Sequence, residues 1–315
     1  MDQKPIGRSG KTMSAIAVGS SPFGREIDED DTRRVLDHAF DRGITFFDMS
    51  EGPQRGSSEW MYGRWMRDRG IRNELTICTK ISQGGGGAFN VTRALTGSLD
   101  RLQTDRVDVY KMHSPDPTTP IDETLGALTE EVKAGRVGVI GGSNYNPAQL
   151  KESLDASEKH GYERFNITQP PYSFSRTAEG MSQMTREELE DELFPLCIRE
   201  QVAVTAYSPL GAGFFTGKYR SMDRSEIPRG TRMDVAPAHA DLYFNEANFK
   251  ILGHLRKKSE ETGITLAELA MAWAMTHPAI TAIIIGARTP AQVDQAISAY
   301  DRGLDPDLRA EMASW

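Results

Sequence analysis

The chain has 315 residues, of which 38% are hydrophobic and 26% charged, so it can bury a core and is too apolar for a disordered chain. Its 37 Lys and Arg against 45 Asp and Glu give a net charge of -8, which argues against nucleic-acid binding through a cationic surface. We find no run of ~20 apolar residues and no secretory signal, so no membrane attachment is predicted. Two cysteines, Cys78 and Cys197, are too few for a disulfide framework, and we expect a soluble cytoplasmic protein.

Short apolar runs alternate along the chain with longer segments of helical periodicity. Runs that are apolar on nearly every residue are typical of parallel strands buried on both faces. Eight runs are predicted as strands, at residues 16–19, 45–48, 75–79, 107–112, 138–142, 166–169, 202–207 and 282–285. This alternation predicts an α/β fold, a (β/α)8 TIM barrel in a single domain over residues 1–315. The alternative, an open doubly wound sheet, is disfavoured because no strand–turn–helix carries a G-x-G-x-x-G motif.

Helix start signals stand between these strands. They are residues 28 to 31, Asn90, Thr119-Pro120, Asn146-Pro147, the capping box Thr265-x-x-Glu268, and Thr289-Pro290. Two long polar segments, at about residues 176–190 and 211–245, are expected to form loops over one mouth of the barrel. The four-glycine run at residues 84–87 follows a strand directly and predicts a mobile loop.

Polar residues stand where the predicted strands end, which in such a barrel is the catalytic face. They are Asp48, Lys80, His113, Ser143-Asn144, Gln169, Tyr207-Ser208 and Gly286-Ala287-Arg288. A single aspartate there is usually a helix cap, and a single histidine is usually a core residue. Their recurrence at successive strand ends instead predicts one functional site at the barrel mouth.

Asp48, Lys80 and His113 would place a carboxylate, an ammonium and an imidazole around one point. The imidazole can donate a hydrogen bond to a carbonyl oxygen, and the ammonium favours the anionic form of a neighbouring acid. This set suits polarisation of a C=O bond. A plain buried salt bridge is the alternative. A metal site is disfavoured because the histidines are scattered along the chain.

The last two strand ends suit a phosphate. A helix that begins at Thr289-Pro290 points its N-terminal amides at the mouth, and Arg288 adds a cation beside them. Lys218 and Arg232 bring further positive charge from the long segment. The alternative is that both are solvated surface cations.

In their order along the chain, these residues resemble the aldo-keto reductase superfamily, from about Gly7 to Ala299. The matching motifs are Gly43-Ile-Thr-Phe-Phe-Asp48, Ser58-Glu59, Thr79-Lys80, Ser98-Leu-Asp-Arg-Leu-Gln-Thr-Asp105, His113, Gly142-Ser-Asn-Tyr145, Gln169-x-x-Tyr172-Ser173, Ala206-Tyr-Ser-Pro-Leu-Gly211 and Gly286-Ala-Arg-Thr-Pro290.

The resemblance implies an eight-stranded barrel that binds NADP(H) in extended form at its C-terminal mouth and transfers a hydride to an aldehyde or ketone. It assigns Ser143, Asn144 and Gln169 to the carboxamide and Tyr207 to stacking on the nicotinamide. The remaining cofactor residues that it implies are Ser208, Leu210 and Gly211 at the pyrophosphate, and Lys218, Arg232, Gly286, Arg288 and Gln292 at the adenosine end, where the cations favour NADP over NAD.

Two positions depart from the family pattern. The family uses Asp, Tyr, Lys and His, and the tyrosine protonates the carbonyl oxygen. Here Pro53 stands five residues after Asp48, where that tyrosine belongs, and proline has no proton to give. Ala296 stands where many members have an asparagine near the adenine. Candidate substitute acids are the residues His113, Glu51 and Tyr62, or a group of the substrate itself.

We therefore expect an NADP(H)-dependent oxidoreductase with atypical proton transfer. Its substrate would be a small molecule with a carbonyl, hydroxyl or conjugated group, such as a sugar or a natural-product intermediate. A redox-neutral dehydratase or epimerase that uses bound NADP is one alternative. A non-catalytic NADP(H)-binding sensor or auxiliary subunit is the other. The retained Asp48, Lys80 and His113 favour an enzyme, because a pure binding module has little use for them.

Overall fold

The computed structural model describes residues 1–51, 56–81, 86–176 and 184–315, with the side chains of residues 88 and 89 left aside. Pro53 lies outside the described residues, and so do residues 84 and 85 of the four-glycine run. The predictions that concern them therefore stay predictions.

Eight parallel strands close into a barrel in the order β10-β3-β4-β5-β6-β7-β8-β9. They are β3 (Ile16–Gly19), β4 (Phe46–Asp48), β5 (Thr76–Ile81), β6 (Val107–Met112), β7 (Val137–Ser143), β8 (Phe165–Gln169), β9 (Ala203–Tyr207) and β10 (Ile280–Ile285). The predicted (β/α)8 barrel is confirmed, and each predicted strand lies at its predicted place to within two residues.

A two-stranded antiparallel hairpin precedes the barrel, formed by β1 (Gln3–Pro5) and β2 (Thr12–Ser14). Its Met13 and the adjoining Ile6 pack against the barrel's inward-facing apolar side chains. The Ser14 hydroxyl accepts hydrogen bonds from the backbone N–H of Phe46 at 3.0 Å and of Thr45 at 3.1 Å. The hairpin therefore closes the end of the barrel opposite the strand ends that carry the site, and the sequence analysis missed it.

Helices surround the barrel. They are α1 (Glu29–Asp41), α2 (Ser57–Arg69), α3 (Ala88–Leu102), α4 (Ile121–Lys133), α5 (Pro147–His160), α6 (Arg186–Glu188), α7 (Phe194–Glu200), α8 (Arg232–Val235), α9 (Ala238–Tyr243), α10 (Glu246–Thr262), α11 (Leu266–Met275), α12 (Pro290–Arg302) and α13 (Pro306–Ala313). A π-helical turn (Leu189–Leu193) joins α6 to α7. Among the described residues, no helix is long and apolar enough to cross a membrane.

Most of the predicted helix starts are confirmed. Asp28, Asn146, Thr265 and Thr289 each cap the helix that follows through a side-chain oxygen. The prediction for Asn90 is wrong, because α3 begins two residues earlier and the Asn90 amide donates to the Gly86 carbonyl at 3.1 Å. An amide in a first helical turn can satisfy a nearby carbonyl without capping the helix.

The segment predicted as a loop at 211–245 is only partly irregular. It contains the short helices α8 and α9 and the 3-10 turns Phe214–Thr216 and Arg224–Glu226. Phe214 contacts the ring of Phe249 on α10, and Phe215 contacts the ring of Phe174 beyond β8, and these contacts fasten the segment to the rest of the molecule. The polar composition of the segment hid this aromatic anchor.

Strand periodicity determines which side chains point into the barrel. Phe46, Cys78, Val109 and Ile167 belong to the apolar cluster inside it. Side chains two residues further along each strand face the same way, since successive residues alternate between the two faces. This places a polar layer on the apolar floor: Asp48, Lys80, Lys111 and Gln169.

Candidate functional site

A cavity of ≈ 440 Å³ opens at the C-terminal ends of the strands. Its walls are the strand ends on one side and residues of the 211–245 segment on the other. It brings together all but one of the predicted site residues: Asp48, Lys80, His113, Ser143, Asn144, Gln169, Tyr207, Ser208, Leu210, Lys218, Arg232, Gly286, Arg288 and Gln292.

Gly211 is the predicted residue that does not line the cavity. It has a positive φ of 55°, and its N–H donates to the Ser208 carbonyl at 2.8 Å. A Cβ at this position would lie 3.1 Å from the Phe215 ring. Gly211 therefore shapes the turn that presents Ser208 and Leu210, and the glycine is needed for backbone conformation and space.

Asp48 and Lys80 form a buried ion pair in the cavity wall. Lys80 Nζ donates to Asp48 Oδ2 at 2.6 Å and to the Met49 carbonyl oxygen at 2.8 Å. Burial alone would raise the pKa of Asp48, but the charges of Lys80 and Lys111 outweigh it and hold that pKa well below its usual value. Asp48 is therefore a carboxylate at neutral pH.

Lys111 is a second ammonium at Asp48, and the sequence analysis missed it. Its Nζ lies 3.3 Å from Asp48 Oδ1, donates to Gln169 Oε1 at 2.5 Å, and lies 3.5 Å from Thr205 Oγ1. Burial lowers the pKa of Lys111, but the neighbouring Cys78 and Asp48 raise it by more, so the ammonium persists. The available signal was a lysine at an inward-facing position of an otherwise apolar strand.

His113 lines the cavity directly after β6. Its backbone N–H donates to the Ile81 carbonyl at 3.2 Å, and its carbonyl accepts from Asn144 Nδ2 at 2.9 Å. Burial lowers the pKa of His113 to about 4, and the charge of Lys80 adds to this effect. The imidazole is therefore neutral at neutral pH, and its N–H can donate a hydrogen bond to a carbonyl oxygen.

Both the oxygen and the nitrogen of the Gln169 side-chain amide form hydrogen bonds inside the barrel. Its Oε1 accepts from Lys111, and its Nε2 donates to Asp48 Oδ2 at 3.2 Å. Gln169 still lines the cavity, but in this conformation its amide faces the charged layer. Two neighbours are similarly held, since Ser143 Oγ donates to the Gln169 carbonyl and Tyr207 donates to Asn144 Oδ1, both at 2.9 Å.

Cations collect at the far end of the cavity around Glu26, which the sequence analysis missed. Arg232 Nε lies 2.7 Å from Glu26 Oε1, and Arg288 Nη1 lies 3.8 Å from Glu26 Oε2. Lys218 lies half-buried nearby, and burial lowers its pKa, with Arg288 adding to the shift. Glu26 is a loop residue, and only the fold brings it to these distant arginines.

A helix N-terminus completes this end of the cavity. The Thr289 side chain caps α12, and the Arg288 N–H donates to Gln292 Oε1 at 2.8 Å. Gln295, on the same helix, lines the cavity, whereas Ala296 is fully buried beside it. Positive charge together with a helix N-terminus is typical of a phosphate site.

Two of the three candidate substitute acids do not line the cavity. The Tyr62 hydroxyl donates to the Val18 carbonyl at 3.2 Å, and its ring is fully buried among apolar side chains. The Glu51 carboxylate lies 3.8 Å from Arg101. His113 is the one of the three that reaches the cavity.

Comparisons with known proteins identify the family of this chain. Residues 15–314 match the model of the Aldo/keto reductase family. The chain is 32% identical to the uncharacterized oxidoreductase YrpG of Bacillus subtilis, covering 98% of this chain and 94% of the relative. It is 30% identical to a probable voltage-gated potassium channel subunit beta of Arabidopsis thaliana, covering 96% and 92%. It is 28% identical to L-glyceraldehyde 3-phosphate reductase of Escherichia coli, covering 96% and 88%. The chain therefore belongs to the aldo/keto reductase family of oxidoreductases.

Proposed function

We propose that this protein is an NADP(H)-dependent oxidoreductase that acts on a carbonyl or hydroxyl group of a small molecule. The observation that carries the proposal is a single cavity with two different ends. One end is lined by a carboxylate, an ammonium group and a neutral imidazole, with a second ammonium group beneath them, and the other end is lined by three cations and one carboxylate. A hydride-transfer enzyme needs a polarising end for the substrate and an anion-binding end for the cofactor.

The charges at the adenosine end fit NADP(H). Lys218, Arg232 and Arg288 outnumber Glu26 among the described charges there, so the site carries an excess of positive charge suited to a 2′-phosphate. Tyr207 would face the nicotinamide, and Ser208 would face the pyrophosphate. Bound nicotinamide supplies the hydride, and the protein supplies the position and charge of its neighbours.

Proton transfer in this enzyme is atypical in our proposal, because Pro53 occupies the position of the family tyrosine in the sequence. His113, neutral at neutral pH, donates its hydrogen bond to the substrate carbonyl and orients it. The charged layer under the cavity stabilises negative charge that develops on that oxygen. A substrate with several hydroxyl groups, such as a sugar, suits the many polar groups at the mouth.

Cofactor binding and turnover of the wild-type chain test the proposal. Titration with NADPH should quench tryptophan fluorescence and produce energy transfer to the nicotinamide. Turnover of nitrobenzaldehyde should then consume NADPH. The absence of any spectral change at millimolar NADPH would contradict the proposed cofactor.

The variant Pro53→Tyr tests the atypical proton transfer. We expect it to raise kcat for nitrobenzaldehyde, with a ceiling of about 10²–10⁴-fold set by the usual value of general acid catalysis. Pro53→Phe is the matched control, since it adds the ring without the hydroxyl and should leave kcat unchanged. Equal rates in the two variants would mean that a missing phenol does not limit the reaction.

A second candidate is an auxiliary cofactor-binding subunit without turnover. Relatives named as probable voltage-gated potassium channel subunits beta favour it, together with the absence of the tyrosine from the sequence motif. This candidate predicts tight NADPH binding without oxidation of NADPH by any tested aldehyde, ketone or sugar. Steady oxidation of NADPH with one of these substrates would decide for the enzyme.

A further inference from the structure

The charged layer inside the barrel contains an unequal number of charges. Among the described residues, Lys80 and Lys111 both form their ion pair with the same carboxylate, that of Asp48. The other groups that face these three are neutral at neutral pH. Burial raises the pKa of the Cys78 thiol to about 12 and lowers that of His113 to about 4, while Gln169 and Thr205 do not titrate. The layer therefore carries one excess positive charge.

The two ammonium groups have different access to the cavity. Lys80 lines it, and Asp48 and the Met49 carbonyl take two of its three N–H bonds. Lys111 lies beneath, with a fully buried side chain, and does not line the cavity. A third N–H of Lys80 is consequently available to a molecule in the cavity, whereas Lys111 can act only through its neighbours.

We propose that Lys80 donates the proton to the substrate oxygen, and that Lys111 is a positioning residue that keeps Asp48 paired while Lys80 is neutral. The inference rests on the proposed function. As a hydride adds to the carbonyl carbon, the C=O π electrons move to the oxygen. That oxygen takes a proton from Lys80 Nζ, so that one N–H bond breaks and one O–H bond forms. Lys80 is left as a neutral amine and regains a proton from water.

The second lysine removes the electrostatic obstacle to this step. With one lysine, proton donation would leave Asp48 as an unpaired buried carboxylate, which is strongly unfavourable. With two, Lys111 stays 3.3 Å from Asp48 and the net charge of the layer falls from one to zero. Hydrogen bonds to Gln169 and Thr205 hold Lys111 in place throughout.

The test compares Lys111→Gln, which keeps a donor but loses the charge, with wild type. We expect kcat to fall about 10²-fold, as for loss of a general acid, while the NADPH dissociation constant changes less than about threefold because Lys111 does not line the cavity. Thr168→Val is the matched control, since it removes a buried hydroxyl of the same barrel that forms no hydrogen bond among the described residues, and it leaves the charge of Lys111 in place. Its kcat should stay within about threefold of wild type.

A second readout needs neither cofactor nor substrate. The charge of Lys111 contributes to the lowered pKa of His113, after burial and Lys80, so the His113 imidazole should titrate at higher pH in Lys111→Gln when followed by NMR. Lys111→Met, of similar length, serves the same test if the glutamine variant does not fold. An unchanged kcat, a kcat loss matched by the loss of NADPH binding, or an unmoved His113 titration overturns the inference. A wild-type chain that binds no NADPH overturns the proposed function itself, so the two failures are distinguishable.

Discussion

Asp48 and Glu26 are both buried carboxylates in the wall of one cavity, and each lies among several cations, yet their pKa values shift in opposite directions. Burial raises both. At Asp48 the two ammonium groups outweigh burial and the pKa falls. At Glu26 burial outweighs the charges of Arg288 and of Arg25, whose Nη2 lies 3.0 Å from Glu26 Oε1, and the pKa rises.

The difference follows from how each carboxylate is held. Asp48 accepts hydrogen bonds from Lys80, Lys111 and Gln169, all of which are buried. The guanidinium groups near Glu26 are closer to solvent, since the side chain of Arg288 is 29% exposed and that of Arg232 is 14% exposed, against 0% for Lys111. Water therefore screens the cations at Glu26 more strongly.

The two carboxylates therefore belong to different kinds of charge centre. The centre at Asp48 is fixed by buried partners, whereas the cations at Glu26 can change partners. A layer whose charges are buried and held by hydrogen bonds is preorganised for chemistry. In the proposed function, the partly exposed cations around Glu26 would instead pair with the 2′-phosphate of the cofactor. Substitutions at the two carboxylates should therefore have very different effects.

Asp48→Asn should give the largest effect. It leaves two buried ammonium groups without a counterion, so we expect a loss of about 3–5 kcal/mol in the free energy of unfolding, measured by urea denaturation, and loss of turnover. Glu26→Gln is the control and should change stability by less than about 1 kcal/mol. Equal losses in both variants would remove the distinction between the two centres.

Arg288→Ala should give the next largest effect, on cofactor choice. A charge-assisted hydrogen bond is worth about 1.5–3 kcal/mol, so NADPH binding should weaken about 10- to 100-fold. NADH lacks the 2′-phosphate and should lose much less. The variant does not alter the end of the cavity that holds Asp48, so kcat at saturating NADPH should equal that of wild type. If NADH binding weakened equally, Arg288 would not contact the 2′-phosphate.

The framework of this molecule was predictable because its strands are apolar on both faces, as in residues 280–285, and because caps such as Asn146 and Thr289 are local signals. Lys111 could have been found from the alternation of its strand, because it stands two residues after the inward-facing Val109 and must point the same way. The N-terminal hairpin was missed because its strands are three residues long. Glu26 was not predictable as a site residue, since Arg232 and Arg288 reach it only through barrel closure.

The pH dependence of stability should distinguish the two carboxylates by sign. The pKa of Asp48 is lowered from 3.8, so its contribution is present above that pH and is lost as the pH falls through the folded-state pKa. The pKa of Glu26 is raised from 4.5, so its contribution is present below that pH and is lost as the pH rises through the folded-state pKa.

Unfolding curves of each variant against wild type, measured from pH 7 down to pH 3, check these signs. The deficit of Asp48→Asn should stay constant from neutral pH to about pH 4 and shrink below it. Wild type should gain stability over Glu26→Gln as the pH falls from 7 toward 4.5. Parallel pH profiles for the two variants would contradict the opposite shifts.

Glu26→Gln should have the smallest effect, and its direction is the informative part. Removing a carboxylate a few ångströms from a phosphate relieves a repulsion of about 1 kcal/mol in a solvated site, which corresponds to about fivefold tighter binding of NADP+. Binding of NAD+ should be unchanged. Isothermal titration with both cofactors measures this, and the amide keeps the shape of the side chain near Arg232. Weaker binding of both cofactors would show instead that Glu26 acts chiefly by orienting its arginines. A carboxylate that only repels the phosphate cannot weaken cofactor binding when it is removed.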